Sequence, residues 1–154
     1  MSKIKSAAQL KEIVDRERSQ GRSLVFTNGC FDLLHLGHLH LLKQAKKEGD
    51  FLVVAINSDR SVRRIKGARR PIHHQRARAV LVASLEMVDY VTVFDEVDPL
   101  GVIRMIKPNV LVKGGDWKTE DVIGKEFAKR VVIVPYKPGH STTNIIKKDR
   151  KSVV

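Results

Sequence analysis

The sequence predicts an α/β fold: a single Rossmann-like domain in which helices cover both faces of a parallel sheet. Short apolar runs of strand type alternate with amphipathic helical segments, which is the pattern of βαβ units. The runs are continuously apolar, as expected for strands buried on both faces. No repeat, low-complexity tract or linker divides the 154 residues. Because ligands of such sheets bind beyond the carboxyl ends of the strands, the loops that follow the strands are the places to look for function.

Apolar periodicity and turn residues place the individual elements. The predicted strands are residues 24–26, 51–56, 90–94, 110–112 and 131–134. The predicted helices are residues 6–20, 37–47, 59–65, 74–86, 99–106, 121–129 and 142–148. Within the single domain, 1–154, we expect an N-terminal helical segment (1–21), a catalytic core (24–148) and a basic tail (149–154).

Composition limits the class of protein. Hydrophobic residues make up 42% and charged residues 30% of the chain, which is typical of a globular protein in water. No apolar run approaches the roughly 20 residues needed to span a bilayer, and the charged start is unlike a secretory signal. Cys30 is the single cysteine, so an intrachain disulfide and a cysteine-based metal cage are excluded. We therefore expect a cytoplasmic protein without a membrane partner.

The positive charge indicates anionic partners. There are 29 Lys and Arg residues against 17 Asp and Glu, giving a net charge of +12, and the stretch 60–78 is rich in basic residues with no acidic one. Such a field attracts nucleotides, sugar phosphates, nucleic acid or anionic membranes. A nucleic-acid-binding module is a rival interpretation, but the aromatic share is only 5% and no recognition helix or stacking platform is evident.

A pair of histidines follows the first strand. His35 and His38 flank Gly37 where the next helix begins, and free N–H groups at a helix start attract phosphate. Two imidazoles there would donate hydrogen bonds to the oxygens of a phosphorus centre as charge develops. Metal binding is the competing interpretation, but apart from Asp32 no nearby side chain completes a ligand set. Asp32 itself would orient a histidine, position a metal–nucleotide complex or cap the turn.

Three later segments carry their own chemistry. Lys66, with Arg64 nearby, lies in a basic loop that would fold over a triphosphate and form charge-assisted hydrogen bonds on closing. The glycines before Asp116 allow backbone to approach a nucleoside, and the carboxylate would accept from ribose hydroxyls, although a glycine turn with a helix cap explains them equally. Residues 141–143 (Ser-Thr-Thr) form a helix N-cap sequence suited to holding phosphate oxygens.

The segment Gly29-Cys30-Phe31-Asp32-Leu33-Leu34-His35-Leu36-Gly37-His38 resembles the signature of the nucleotidyltransferase superfamily, which includes cytidylyltransferases and pantetheine-phosphate adenylyltransferase. The resemblance implies that the two histidines steady the α-phosphate during attack on a nucleoside triphosphate, with Mg²⁺ bound to the triphosphate. Class I aminoacyl-tRNA synthetases share this signature, but the chain is far too short for one.

Residues 57–59, 66–71, 112–117 and 139–146, together with Arg78, extend the resemblance in order along the chain. They are similar to the D-glycero-β-D-manno-heptose 1-phosphate adenylyltransferases. That family implies transfer of AMP from ATP to the heptose 1-phosphate, giving ADP-heptose and pyrophosphate for lipopolysaccharide or cell-surface glycan precursors. It also implies a homodimer. Because the companion kinase domain of the bifunctional form is absent from this sequence, we expect a separate upstream sugar kinase.

The motifs and the resemblance together assign a set of site residues. The catalytic group is His35, His38, Lys66 and Arg78. The nucleotide-binding group is Asn28, Gly29, Cys30, Phe31, Gly37, His38, Lys113, Gly115, Asp116, Ser141, Thr142 and Thr143. The substrate-binding group is Asp32, Asn57, Arg64 and Lys66. No resident metal is expected, since Mg²⁺ would arrive with ATP as the substrate complex.

Two positions depart from the related patterns. Arg76 stands where the heptose enzymes usually carry an acidic residue, and Tyr136 stands where glycerol-3-phosphate cytidylyltransferase has an arginine that meets its substrate. The second departure argues against glycerol 3-phosphate. A cytidylyltransferase acting on such an alcohol phosphate remains the alternative enzyme, and a non-catalytic nucleotide sensor is a further rival that the presence of both histidines weakens.

Overall fold

The structure, a computed structural model, describes residues 2–135 and 146–147 and is built on five parallel strands. These are β1 (Leu24–Gly29), β2 (Phe51–Asn57), β3 (Tyr90–Phe94), β4 (Val110–Gly114) and β5 (Arg130–Val134). Their order across the sheet is β3-β2-β1-β4-β5. The predicted α/β fold with a parallel sheet is confirmed.

Helices cover both faces of this sheet. They are α1 (Ala7–Ser19), α2 (Leu36–Lys46), α3 (Asp59–Lys66), α4 (Gln75–Ala83) and α5 (Leu100–Ile106). One core layer holds buried side chains of α2 and α4, such as Leu42 and Val82, and the other holds those of α1 and α5, such as Leu10 and Ile103. Strand β2 is buried at every position, which explains its uninterrupted apolar sequence.

The sheet opens between β1 and β4. Strand β1 pairs with β2 from Leu24 to Gly29, but its pairing with β4 is confined to Val25 and Phe26. Beyond that point Oγ1 of Thr27 donates to the carbonyl of Val112 at 2.9 Å. Strand β1 is followed in the chain by β2 on one side of it, whereas β4 lies on its other side. At such a reversal of strand order a crevice forms at the carboxyl ends of β1 and β4. The segments that follow β1 and β4 leave the sheet at this crevice.

The prediction of a helix over residues 121–129 is wrong. The segment contains two short 3₁₀ turns instead, Thr119–Asp121 and Lys125–Phe127. Gly124 lies between them with φ +88°, and a side chain there would meet Ile103 at 2.8 Å. A left-handed residue packed against α5 interrupts helical geometry, so the turns cannot join.

Other boundaries differ by a few residues. Strand β1 continues three residues beyond the predicted end, and α4 stops at Ala83, three residues before the predicted end. The helix predicted over 142–148 lies outside the described residues, apart from helical positions 146 and 147.

The N-terminal segment covers the outer edge of β3. Val91 donates its N–H to the carbonyl of Lys3 at 2.9 Å and accepts from the N–H of Lys5 at 2.8 Å. An edge strand otherwise offers unpaired backbone groups to other chains, so this short pairing protects it. Within residues 2–135 and 146–147, no helix is long and apolar enough to cross a membrane.

Candidate active site

The two signature histidines lie face to face at the start of α2. Their ring centroids are 3.8 Å apart and the ring planes differ by 22°. His35 is the N-cap residue of α2, and His38 is the third residue of the helix. Side chains at these two positions reach toward each other in a capping box, so the spacing of three residues is what brings the imidazoles together.

Backbone N–H groups fix the chemical form of both rings. Nδ1 of His35 accepts from the N–H of Gly37 at 3.1 Å, and Nδ1 of His38 accepts from the N–H of His35 at 3.3 Å. A nitrogen that accepts carries no proton, so each neutral ring bears its proton on Nε2. The capping box therefore leaves the proton of each neutral ring on Nε2, at the helix start, where the backbone dipoles also favour an anion.

The imidazole of His38 stays uncharged at pH values well below neutrality. Burial, the neighbouring His35 and the ammonium of Lys66 together lower the pKa of His38 to about 4. Each of these disfavours an added positive charge. The tautomer that presents Nε2–H is thus the one present at neutral pH, without competition from the doubly protonated ring.

A left-handed residue shapes the turn before the histidines. Phe31 has φ +48°, an uncommon value for a residue other than glycine. Its ring is buried, and its centroid lies 5.0 Å from that of the His38 ring. If Gly29 carried a Cβ atom, that atom would lie only 2.9 Å from the Phe31 ring. The turn is therefore supported by packing against both sides of the Phe31 ring, and it aims the loop at the helix start.

Asp32 is buried and binds the basic loop, while its role in substrate binding stays a prediction. Its side chain is 1% exposed and pairs with Nε of Arg70 at 2.8 Å. The same carboxylate accepts from the backbone N–H groups of Ile72 at 2.8 Å and His73 at 3.0 Å. These hydrogen bonds, those from His73 and Ile72 ahead of that from Arg70, hold its pKa below the usual value despite burial. Asp32 thus fastens the basic loop 67–74 to the histidine loop.

Arg78 lies beneath the surface and binds several segments of the chain. Its side chain is fully buried, and Nη1 donates to the carbonyls of Cys30 at 2.7 Å and Asn57 at 2.6 Å. Nε donates to the carbonyl of His73 at 2.9 Å, while Nη2 pairs with Asp59 at 2.9 Å. One guanidinium therefore joins the loop after β1, the end of β2 and the basic loop. The catalytic role of Arg78 stays a prediction.

Asn57 is likewise turned inward. It is 4% exposed, and its Nδ2 donates to Oγ of Ser61 at 3.0 Å. Its neighbour Ser58 caps α3 by accepting from the N–H of Ser61 and donates to Asp95 at 2.5 Å. The Asn57 side chain therefore ties β2 to α3, and its contact with a substrate stays a prediction.

Several cations surround Cys30. Burial raises the pKa of the Cys30 thiol, while Lys66, Arg78 and Arg70 oppose that rise. Lys113 approaches from β4, and burial lowers the pKa of its ammonium. Lys66 is the last residue of α3 rather than part of a loop, and both it and Arg64 are exposed. The histidine loop thus lies among positive charges contributed by α3, the basic loop and β4, which suits a polyphosphate.

A small cavity of about 30 Å³ lies beside Lys113 at the open edge between β1 and β4. Its lining includes Asn28, Lys113, Trp117 and Ile123. Trp117 is 42% exposed, and the Lys113 ammonium lies 4.7 Å from its ring centroid, a cation–π contact. The indole is therefore partly a surface group at the crevice.

The glycine turn after β4 is only partly as predicted. Gly115 has φ +110°, which explains the requirement for glycine, but its N–H already donates to the carbonyl of Val134 at 2.9 Å. Asp116 is exposed beside it. The predicted contacts of Ser141, Thr142 and Thr143 lie outside the described residues.

Arg70 is the partner of Asp32, which the sequence did not indicate. The stretch 60–78 contains several arginines, and nothing in their spacing distinguishes this one. The pair joins a buried acid of the histidine loop to a cation of the basic loop. It can be recognised only once the tertiary structure brings the two loops together.

Comparison with known proteins identifies the family. The family model described as Cytidylyltransferase-like matches residues 26–148. The chain is 52% identical over 153 residues to the bifunctional protein HldE of Geotalea uraniireducens, covering 97% of this chain and 31% of the relative. It is 50% identical over 151 residues to the bifunctional protein HldE of Trichlorobacter lovleyi, again covering 96% of this chain and 31% of the relative. The chain thus spans about a third of the length of these relatives.

Solved structures agree with that result. A lipopolysaccharide core biosynthesis protein from Thermoplasma volcanium is 35% identical, with a TM-score of 0.62, covering 76% of this chain and 98% of that one. A pantoate-beta-alanine ligase from Francisella tularensis, 18% identical with a TM-score of 0.65, covers 100% of this chain and 79% of that one and shares the fold. The predicted nucleotidyltransferase relationship is confirmed, and the chain belongs to the cytidylyltransferase-like family.

Proposed function

We propose that this chain transfers AMP from ATP to D-glycero-β-D-manno-heptose 1-phosphate, forming ADP-heptose and pyrophosphate. The observation that supports the proposal is the stacked pair His35 and His38 at the start of α2, in which Nδ1 of each ring accepts from a backbone N–H and the proton of each neutral ring lies on Nε2. Family membership supports nucleotidyl transfer, and the similarity to HldE proteins supports this branch of the family.

The reaction is a single substitution at phosphorus. A phosphate oxygen of the sugar 1-phosphate attacks the α-phosphorus of ATP in line, a new P–O bond forms, and the bond to the β-phosphate oxygen breaks. The electron pair of that bond leaves with pyrophosphate. His35 and His38 donate to the α-phosphate oxygens as charge grows there, so catalysis rests on position and electrostatics.

The surrounding cations hold the rest of the nucleotide. Lys66, with Arg64 nearby on the exposed end of α3, is placed to meet the β- and γ-phosphates. Lys113 and the backbone near Gly29 and Cys30 approach from the other side of the crevice. Asp116 is exposed at the end of β4, where ribose hydroxyls would be within its reach.

Mg²⁺ belongs to the nucleotide in this proposal. In the described part of the chain, no group of three His, Cys, Asp or Glu side chains could hold a metal ion. The nearest carboxylate to the histidines, Asp32, is already bonded to Arg70 and two backbone N–H groups. The residues present therefore fit Mg²⁺ as a companion of the triphosphate, where it neutralises charge, and offer it no cage of their own.

The remaining partners follow from the same reaction. A sugar kinase must supply the 1-phosphate, and we propose a homodimer acting in the cytoplasm with neither a membrane nor a nucleic-acid partner. The alternative enzyme, a cytidylyltransferase acting on an alcohol phosphate such as glycerol 3-phosphate, differs in the base and the acceptor, and the similarity to HldE proteins favours the heptose substrate over it.

A panel of substrates tests the proposal. Pyrophosphate release is measured with each of four nucleoside triphosphates against heptose 1-phosphate and glycerol 3-phosphate, with Mg²⁺ present. We expect the pair of ATP and heptose 1-phosphate to give the highest kcat/KM. Faster release with CTP, or with glycerol 3-phosphate, would remove the heptose assignment while leaving the family assignment intact.

A further inference from the structure

Arg70 lies on the basic loop between α3 and α4 and is held by a buried carboxylate. Its Nε donates to Oδ2 of Asp32 at 2.8 Å, and the side chains are 15% and 1% exposed. The loop around it is fixed as well, since Asp32 accepts from the backbone of Ile72 and His73. The guanidinium therefore has one position, set before any ligand binds.

One nitrogen of this guanidinium has no acceptor. Nη2 of Arg70 is buried, yet it is the one buried side-chain nitrogen or oxygen of the described residues that lacks a hydrogen-bond partner. An arginine cannot lose its proton to relieve this, and a buried donor without a partner destabilises the folded chain. The comparison with Arg78 is direct: that buried guanidinium donates to four acceptors. Such an orphan donor calls for an explanation.

The location of Arg70 near the histidine loop offers an explanation for its unpartnered Nη2. Its positive charge acts on the Cys30 thiol, as the charge of Lys66 does, and Cys30 lies in the loop that leads to the histidines. Lys66 in turn acts on His38. The unpartnered donor therefore belongs to the ring of cations around the histidine loop and not to a distant face of the molecule.

We propose that Arg70 is a phosphate-binding residue, with Nη2 donating to a phosphate oxygen of a substrate held at His35 and His38. The inference rests on the proposed function for the identity of the substrate. The phosphate belongs either to the ATP triphosphate or to the sugar 1-phosphate. Asp32 acts through Arg70: by taking Nε, it turns the other edge of the guanidinium to the ligand, as planar pre-organised arginine forks do at phosphate sites.

Binding of inorganic pyrophosphate tests the proposal without requiring turnover. Arg70→Lys keeps the charge and one donor for Asp32 but leaves nothing at the position of Nη2. Because hydrogen bonds to charged groups contribute about 1.5–3 kcal/mol, we expect its Kd for pyrophosphate, from calorimetry, to rise about 10- to 100-fold. Arg69→Lys is the matched control, since Arg69 is the neighbouring exposed arginine. An unchanged Kd in folded Arg70→Lys would overturn the proposal.

A second measurement on the unaltered chain covers the case in which the variant fails to fold. The ¹⁵Nη resonances of Arg70 are followed by NMR as pyrophosphate is added. A new hydrogen bond to Nη2 shifts that resonance, whereas a purely structural arginine shows none. Absence of a shift at a pyrophosphate concentration that saturates the protein would overturn the proposal.

Steady-state kinetics then separate the two sources of phosphate. If Nη2 binds the triphosphate, Arg70→Lys raises KM for ATP; if it binds the sugar phosphate, KM for heptose 1-phosphate rises instead. Both patterns support the phosphate site. Loss of pyrophosphate binding in a chain that shows no turnover with any substrate pair would uphold the site while rejecting the proposed function, so the two failures are distinguishable.

Discussion

The imidazoles of His35 and His38 are locked to each other through the backbone. His38 Nδ1 accepts from the N–H of His35, whose own ring accepts from Gly37. The bonds that cap the helix are thus also the bonds that set the tautomer of each neutral ring. Four predictions follow from this arrangement and from the buried ion pairs that support it.

The two ring nitrogens of His38 have different roles in the proposed mechanism, and two substitutions test these roles one at a time. His38→Asn places its amide near Nδ1 and keeps an acceptor for the His35 N–H, whereas His38→Gln places an N–H near Nε2. We expect His38→Asn to lose about 100- to 1000-fold in kcat, as for removal of one transition-state donor, and His38→Gln to lose less. Pyrophosphate release measures both. His40→Gln, elsewhere on α2, is the control; equal activity in the Asn and Gln variants would contradict the assignment.

Removing the buried charge of Asp32 should destabilise the protein. Asp32→Asn leaves Arg70 charged without its partner and sets an amide against two backbone N–H donors. Breaking one partner of a buried pair costs about 3–5 kcal/mol. Urea denaturation at pH 7 measures the free energy of unfolding, with the exposed Asp121→Asn as control. A loss no greater than in the control would show that Asp32 does not fasten the loop.

Arg78 should also be essential for stability, because its buried charge is held by hydrogen bonds to several segments of the chain. Arg78→Lys cannot reproduce four bonds spread over three segments, so we expect the free energy of unfolding to fall by about 3 kcal/mol or more. Arg76→Lys on the same helix is exposed and should change it by less than about 0.5 kcal/mol. Thermal or urea unfolding compares the two. If both variants unfold alike, Arg78 does not hold the loops together.

The low pKa of His38 predicts the direction of a pH effect on stability. The folded-state value of about 4 lies below the ordinary value of 6.5, so the unfolded chain binds the proton first as pH falls. Stability is complete above pH 6.5 and declines between pH 6.5 and 4, by about 3 kcal/mol at most. We expect His38→Gln, which cannot titrate, to lose less over that range. In Lys66→Ala, NMR titration should place the pKa of His38 above its value in the unaltered chain, because a nearby cation is removed.

The overall fold was predictable from the chain because parallel strands buried on both faces are uniformly apolar. The uninterrupted apolar run at residues 51–56 predicts a central strand, and β2 is buried at every position. The failures occurred where local signals depend on tertiary packing. Residues 121–129 have helical composition, yet the contact of Gly124 with Ile103 leaves room only for a left-handed turn. No periodicity reveals such a contact in advance.

The site was predictable to the extent that its residues follow one another in the chain. His35 and His38 meet because a spacing of three residues at a helix start brings their rings together. The sequence did not reveal that Asp32, Asn57 and Arg78 are buried, because the type of a residue does not determine its burial. Each of them binds other parts of the protein in the structure.

The sequence alone determined the sheet, the position of the histidine turn and the family resemblance, because strand apolarity and the capping spacing are local properties of neighbouring residues. Only the tertiary structure decided that Arg70 pairs with Asp32 and that Arg78 joins the loop after β1 to the end of β2. Both facts depend on loops separated by some 40 residues meeting at one carboxylate or carbonyl. That meeting is set by how helices pack on the sheet, and no short stretch of chain contains it.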